Sequence, residues 1–392
     1  MFARLVALAV AFLFPALAMA AEPLPPINAD IQAAMQAFVD RGELSGAVTL
    51  VADANRIRHL GAVGLADLSS KREMTPDNLF WIASLTKPIA ATAVMILQDD
   101  GKLSIDDPVA KYLDDFSKLT VGKDRQLAQT VLTIRHLLTH TSGVAGTPWP
   151  KGGDTRSLDV QAYELASLPL QFEPGSLWRY GNGLNVAGRI VEVVSGLPFA
   201  EFVRDRITAP LGMRDTTFLL TPEQYERFAR NYKLSYDRTA LVPAAHRLVT
   251  PDPELGQTIT PSPSGGLFST AGDLSRFYRM MLNGGELDGV RILKTETARA
   301  MTTIQTGNLV TGFTPGNGWG LGFCVVREPQ GVTRMLSPGT FGHGGAYGTQ
   351  AWADPATGLI YLLMIQRPDL GNSDMSPMRD AFQSAAVAAF AK

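Results

Sequence analysis

Cysteine is almost absent from this 392-residue chain, where Cys324 stands alone. An intramolecular disulfide, a thiolate zinc cage and a cysteine-held iron–sulfur cluster all need more sulfur, so none of them is available. A basic excess is lacking as well: Lys and Arg total 35 against 37 Asp and Glu, for a formal net charge of -2. A nucleic-acid partner, whose phosphates demand surplus cations, is therefore not expected. Charge of either sign is sparse at 18%, below the roughly 25% of ordinary soluble domains. With 45% hydrophobic residues, the chain also lacks the low hydrophobicity and high charge of disorder. Long apolar runs are missing except at the N-terminus, where Arg4 precedes a run over residues 5–17 that ends in Ala18-Met19-Ala20. That run is shorter than the ~20 residues needed to cross a bilayer and has the small-x-small ending of a signal peptide. Cleavage near Ala20/Ala21 would give a periplasmic or secreted protein. No cysteine follows for lipid attachment, so no stable membrane anchor is expected after signal removal.

The length suits two or three domains of roughly 100 to 200 residues each. After the turn-prone Ile27-Asn28-Ala29-Asp30, apolar Ile31, Met35 and Phe38 recur at helical spacing, predicting a helix over 28–41. Residues 46–52 and 57–64 are β-rich runs about Asp53-Ala54-Asn55-Arg56, predicting a hairpin. From Thr86 to about Ser269 the chain reads as helices, with apolar stripes at 89–97, 134–138 and 184–194, and as Gly/Pro-rich loops, notably 143–153 and 242–266. Residues 323–326, 350–353 and 359–366 then read as strands, and 377–390 as a final helix. The order predicts a sheet domain built from both chain ends (21–85 and 270–392) with a mainly helical domain (86–269) inserted, behind a signal peptide at 1–20.

Candidate chemistry begins at Ser84-Leu85-Thr86-Lys87, which opens a helical run to about Asp100. Pro88 is tolerated there because a first-turn residue loses no helix bond. Residues three apart share a helix face, so Lys87 reaches the Ser84 hydroxyl. Burial and the positive end of the helix dipole both push such a lysine towards its neutral, proton-accepting form. Alone, the pattern also fits an ordinary capping serine beside a surface lysine. The G-x-S-x-G nucleophile elbow occurs nowhere, which disfavours the α/β-hydrolase fold.

Two further stretches bear on it. Tyr180-Gly181-Asn182 follows the turn-forming Pro174-Gly175-Ser176, and Gly342-His343-Gly344-Gly345 enters the strand-rich end. Together with Ser84 and Lys87 they resemble the S-x-x-K, Y-x-N and [KH]-[TSG]-G motifs of the serine β-lactamase and penicillin-recognising family. The resemblance is to its class C-like group, which includes family VIII carboxylesterases, D-alanyl-D-alanine carboxypeptidases and D-aminopeptidases. Residues 136–143, 265–274 and 318–322 are similar to the same family, and the resemblance covers about residues 30 to 390.

The resemblance implies a β-lactamase-like α/β (α+β) fold, an antiparallel sheet flanked by helices with an inserted all-α domain, and a serine hydrolase acting without metal or cofactor. Its substrate would be a small ester, amide or peptide. Ser84 would form an acyl-enzyme, with Lys87 and Tyr180 as bases and with the Tyr180 phenol pKa lowered by neighbouring cationic charge. Backbone amides of Ser84 and Ala346 would hold the oxyanion, and Asn182 would bind substrate or hold Lys87. Gly345 would allow close backbone approach. His343 stands where most β-lactamases of the family carry lysine, which replaces a permanent cation with a group neutral over much of physiological pH. That departure favours an esterase or a peptidase over a β-lactamase. A binding protein holding a muropeptide or penicillin without turnover is the rival from another class.

Other features read as structural. His136 and His140 have the four-residue spacing of a zinc pair but lack a third ligand, and Cys324 lies in an apolar run that suits a buried thiol. Trp149, Trp178, Trp319 and Trp352 read first as packing, with Trp149, in its Pro/Gly-rich loop, the candidate for a cleft.

Overall fold

The computed structural model describes residues 27–146, 154–246, 248 and 259–391; the expected signal segment and Trp149 lie outside the described residues. Helix α1 (Ala29–Asp40) starts at Asn28, whose side chain accepts from the Asp30 and Ile31 amides, and it buries Ile31, Met35 and Phe38. Strands β1 (Gly46–Asp53) and β2 (Ile57–Asp67) form the expected hairpin. Its turn is closed by Asp53, which accepts from the amides of Asn55 and Arg56. The two-residue β3 (Arg72–Glu73) follows.

Next come β4 (Phe80–Trp81), α2 (Thr86–Asp99), α3 (Ile134–Leu138), α4 (Gly183–Ser195), β5 (Phe268–Ser269) and α5 (Ala271–Leu282). The C-terminal part carries β6 (Asn317–Trp319), β7 (Cys324–Val326), β8 (Phe341–Gly344), β9 (Gln350–Asp354), β10 (Leu359–Met364) and α6 (Pro377–Phe390). An eight-stranded sheet runs β6-β7-β8-β9-β10-β1-β2-β3 with antiparallel neighbours. Strands from the two chain ends meet at its centre, where Leu50 pairs with Leu362.

Every residue of β10, and all of β1 but its last, is buried, because helices cover both sheet faces. Val51, Trp352, Tyr361 and Leu363 pack with Ile31 of α1 and Phe382 of α6. On the other face Val48, Leu50, Leu362 and Met364 join a core that continues through Ile89 of α2, Leu137 of α3, Ile190 of α4 and Leu274 of α5. The sequence did not single out α5, β8 or the β4–β5 ribbon. Two- to four-residue strands carry no readable period, and the start of α5 depends on Thr270, whose side chain accepts from the Asp273 amide.

One buried contact ties α1 to the sheet. His59 on β2 is fully buried, with Nε2 3.0 Å from Thr49 Oγ1 and Nδ1 accepting the Asn28 amide at 3.0 Å. Burial lowers its pKa to about 4, and protonation would set a second N–H against that of Asn28. The unfolded histidine takes up its proton near pH 6.5 and the folded one near 4, so this contribution is complete above the upper value and is lost as pH falls through the window. Chemical denaturation of wild type and His59→Gln across pH 4 to 7 is expected to show the wild-type advantage shrinking by up to about 3 kcal/mol towards acid. A pH-independent difference would contradict this reading of His59.

Candidate active site

The serine sits on a constrained turn. Strand β4 pairs with β5 (Phe80 with Ser269, Trp81 with Phe268), and Trp81 Nε1 donates to the Gly265 carbonyl at 2.6 Å. Ala83 then adopts a left-handed φ of 46°, a conformation that costs an L-residue about 1–2 kcal/mol and is least crowded for a methyl side chain. The turn Ala83–Leu85 leads straight into α2, whose residues Thr86 to Leu97 are all buried. Ser84 and Lys87 are thereby fixed on one helical turn.

Lys87 is 3% exposed. Its Nζ donates to Ser84 Oγ at 3.3 Å and to the Ser264 carbonyl at 2.6 Å. The Ser264 amide is in turn held by Asn185 Oδ1 at 3.1 Å, and Asn185 Nδ2 is anchored on Gln161 Oε1 at 3.0 Å. Burial lowers the Lys87 pKa to about 7, so a neutral amine is well populated beside the serine at physiological pH. Lys87 Nζ lies 4.5 Å from the centroid of the Tyr180 ring. The expected lowering of the Tyr180 pKa is corrected here: burial is the largest influence and pushes the phenol well above its ordinary value, so it keeps its proton. The Ser84 hydroxyl acts in the opposite direction, which makes the two oxygens neighbours, although no hydrogen bond of standard geometry joins them.

His343, on β8, is 3% exposed and places Nδ1 2.6 Å from the Gly344 carbonyl. A carbonyl only accepts, so Nδ1 carries the proton and Nε2 is a bare acceptor, buried without a partner. Burial, then the nearby Lys87 charge, lower its pKa to about 3. Its ring centroid is 6.0 Å from that of Tyr180. Gly345 presses on the serine turn: a Cβ there would lie 2.6 Å from the Ile82 carbonyl and 2.0 Å from Thr349 Oγ1. Ala346 follows, exposed. Among the described residues neither the Ser84 nor the Ala346 amide donates to a backbone carbonyl, so both are available to a developing oxyanion. Asn182 precedes α4 with φ -87° and ψ 14° and gives that helix no side-chain cap.

The Beta-lactamase family model matches residues 31–384. The chain belongs to the β-lactamase family. It is 34% identical over 387 residues to protein Rv1367c of Mycobacterium tuberculosis, covering 89% of this chain and 95% of that protein. It is also 34% identical over 382 residues to esterase EstB of Burkholderia gladioli, covering 90% and 93%. Among solved structures, EstCE1, a hydrolase with promiscuous acyltransferase activity, superposes with a TM-score of 0.78 at 26% identity over 90% of this chain and 97% of that one. Like its family, this protein is a serine hydrolase with a β-lactamase-like fold.

In this β-lactamase-family site the structure brings Ser84, Lys87, Tyr180 and His343 together. It also supplies the Ser264 carbonyl and Asn185 behind it, which the motifs did not point to, and surrounds Tyr180 with rings from His140 (4.4 Å), Phe313 (5.0 Å), Trp319 (6.1 Å) and Trp178 (6.3 Å). An asparagine among the apolar residues of the buried helix face was the one legible signal for Asn185. His136 and His140 do not share a helix face, because α3 ends at Leu138 and His140 has a left-handed φ of 60°. His136 Nδ1 instead accepts the Thr133 amide at 3.2 Å. Cys324 is buried on β7, and its thiol pKa is pushed up by burial.

Since neutral Lys87 is the form that accepts a proton, kcat/KM for an ester is expected to rise with pH, to be half-maximal near the Lys87 pKa of about 7, and then to level off. A profile flat from acid to alkaline pH would remove Lys87 as the base. Gly345→Ala is expected to cut kcat/KM by about 10²-fold or more, the scale of losing an oxyanion donor. A wild-type rate in that variant would show that the close approach to Ile82 is dispensable.

Proposed function

We propose that this protein is an exported carboxylesterase that hydrolyses small uncharged esters through an acyl-enzyme on Ser84. The observation that carries this reading is His343, which is held neutral with a bare acceptor nitrogen where a cation for a substrate carboxylate would stand. The likeness to EstB and EstCE1 supports it. In this reading neutral Lys87 takes the Ser84 hydroxyl proton as Oγ attacks the ester carbonyl carbon. The Ser84 and Ala346 amides hold the oxyanion. Collapse breaks the bond to the alcohol oxygen, which takes its proton from the Tyr180 phenol while the ammonium of Lys87 restores it. Water then attacks the acyl-enzyme by the same steps in reverse. The cleft lies between the sheet domain (21–85 and 270–392) and the helical segment (86–269), and residues 1–20 are removed on export.

An efficient β-lactamase needs a counter-charge for its substrate's carboxylate, which His343 does not offer, and the likeness to EstB and EstCE1 supports an ester over a D-Ala-D-Ala peptide. Rates measured side by side on a short-chain p-nitrophenyl ester, a D-Ala-D-Ala peptide and nitrocefin are expected to rank the ester first, with Ser84→Ala inactive. Mass spectrometry after fluorophosphonate treatment is expected to find the adduct on Ser84 and a mature chain beginning at Ala21. No adduct on Ser84, or faster turnover of the peptide or nitrocefin, would overturn the reading.

A further inference from the structure

Tyr180 lies on an irregular stretch between Pro174-Gly175-Ser176 and the start of α4, with no helix or strand to fix its direction. A buried phenol that must hand on a proton needs its oxygen placed to a fraction of an ångström. The residue that grips this stretch is His140. Its carbonyl accepts the Arg179 amide at 2.9 Å, and its Nδ1 accepts the Gly181 amide at 3.4 Å. Both amides flanking Tyr180 thus end on one residue, whose ring also lies 4.4 Å from the Tyr180 ring at a 33° tilt.

The backbone conformation is part of this device. His140 is a non-glycine residue at φ 60°, and residues held in this region by their surroundings are characteristic of functional sites. Here the left-handed turn presents the carbonyl and the ring nitrogen of a single residue to the same neighbouring segment. The ring is also chemically quiet. Because Nδ1 accepts, Nε2 carries the proton, and burial, together with the nearby Lys87 charge, holds the pKa of His140 well below its ordinary value.

We propose that His140 is a positioning residue for the hydrolase, clamping the 179–181 segment so that the Tyr180 phenol points at the Ser84–Lys87 pair. It acts through Tyr180 and touches no substrate. The proposal rests on the reading of Tyr180 as proton donor to the leaving alcohol.

His140→Phe keeps a ring and loses the acceptor. It is expected to lower kcat by about 10²-fold with KM little changed, the scale of a small misplacement of a reacting group. His140→Asn tolerates the left-handed backbone and restores a side-chain acceptor, so it should lose less, about tenfold. In a Tyr180→Phe background neither substitution should lower kcat further, since the group they position is gone. Equal losses in both backgrounds would overturn the proposal, as would a phenylalanine variant as active as the asparagine one. If His140→Phe does not fold, His140→Asn carries the same cycle. A readout independent of turnover is the Tyr180 resonance in protein with isotope-labelled tyrosine, assigned by its loss in Tyr180→Phe. It is expected to shift or broaden in the His140 variants, and an unchanged resonance would overturn the role of His140 whatever the activity. Failure of wild-type Ser84 to take up a fluorophosphonate would instead sink the hydrolase mechanism, so the two failures are distinct.

Discussion

The site depends on a primary amine buried deep in the protein whose hydrogen bonds run to a hydroxyl and a carbonyl. Burying an ammonium without a counter-ion is costly, and the amine responds by giving up its proton more readily. Keeping Lys87 dry requires everything around it. Helix α2 is buried along most of its length. Gly322 lets its own turn approach so closely that a Cβ there would come 2.4 Å from Ala91 Cβ and 3.1 Å from the Lys87 carbonyl. Asn185 stations the Ser264 carbonyl. The same dryness keeps the neighbouring His140 and His343 neutral.

That environment leaves loose ends. Buried polar atoms without partners include Tyr180 Oη, His343 Nε2, His140 Nε2, Ser264 Oγ and the indole nitrogens of Trp178 and Trp319. Each unmade hydrogen bond costs about 1–3 kcal/mol, and others such as Tyr278 Oη, Tyr361 Oη and Gln366 Oε1 are spread through the remaining core. Those around Ser84 have a further significance, because groups already bonded to one another have nothing to offer a transition state.

Legibility in the sequence followed locality. The final helix was readable at its start because Ser376 caps it and Pro377 opens it, and the first hairpin because Asp53 closes its turn. Ser84 and Lys87 were readable because one helical turn relates them, whatever the rest of the chain does. Strand β8 has four residues, two of them glycine, and its identity comes from pairing with β7 and β9. The Tyr180 pKa was misread for a related reason: motif spacing shows that a cation is near but not that the phenol is sealed from water, and burial is the larger influence. Spacing also suggested His136 and His140 as a pair, whereas the helix end between them and the left-handed backbone of His140 itself set one to cap α3 and the other against Tyr180.

The strand order also bears on how the protein is made. The centre of the sheet joins β1 to β10, and the turn carrying Ser84 is completed by Gly345 and Ala346 from near the opposite end of the chain. Contacts between such distant segments form late and slowly, because a large loop must close before they contribute. A nascent chain therefore holds Ser84 without the neighbouring Gly345–Ala346 segment or a sealed lysine. Its chemistry switches on only with the last strands, so the topology itself delays activity until synthesis is complete.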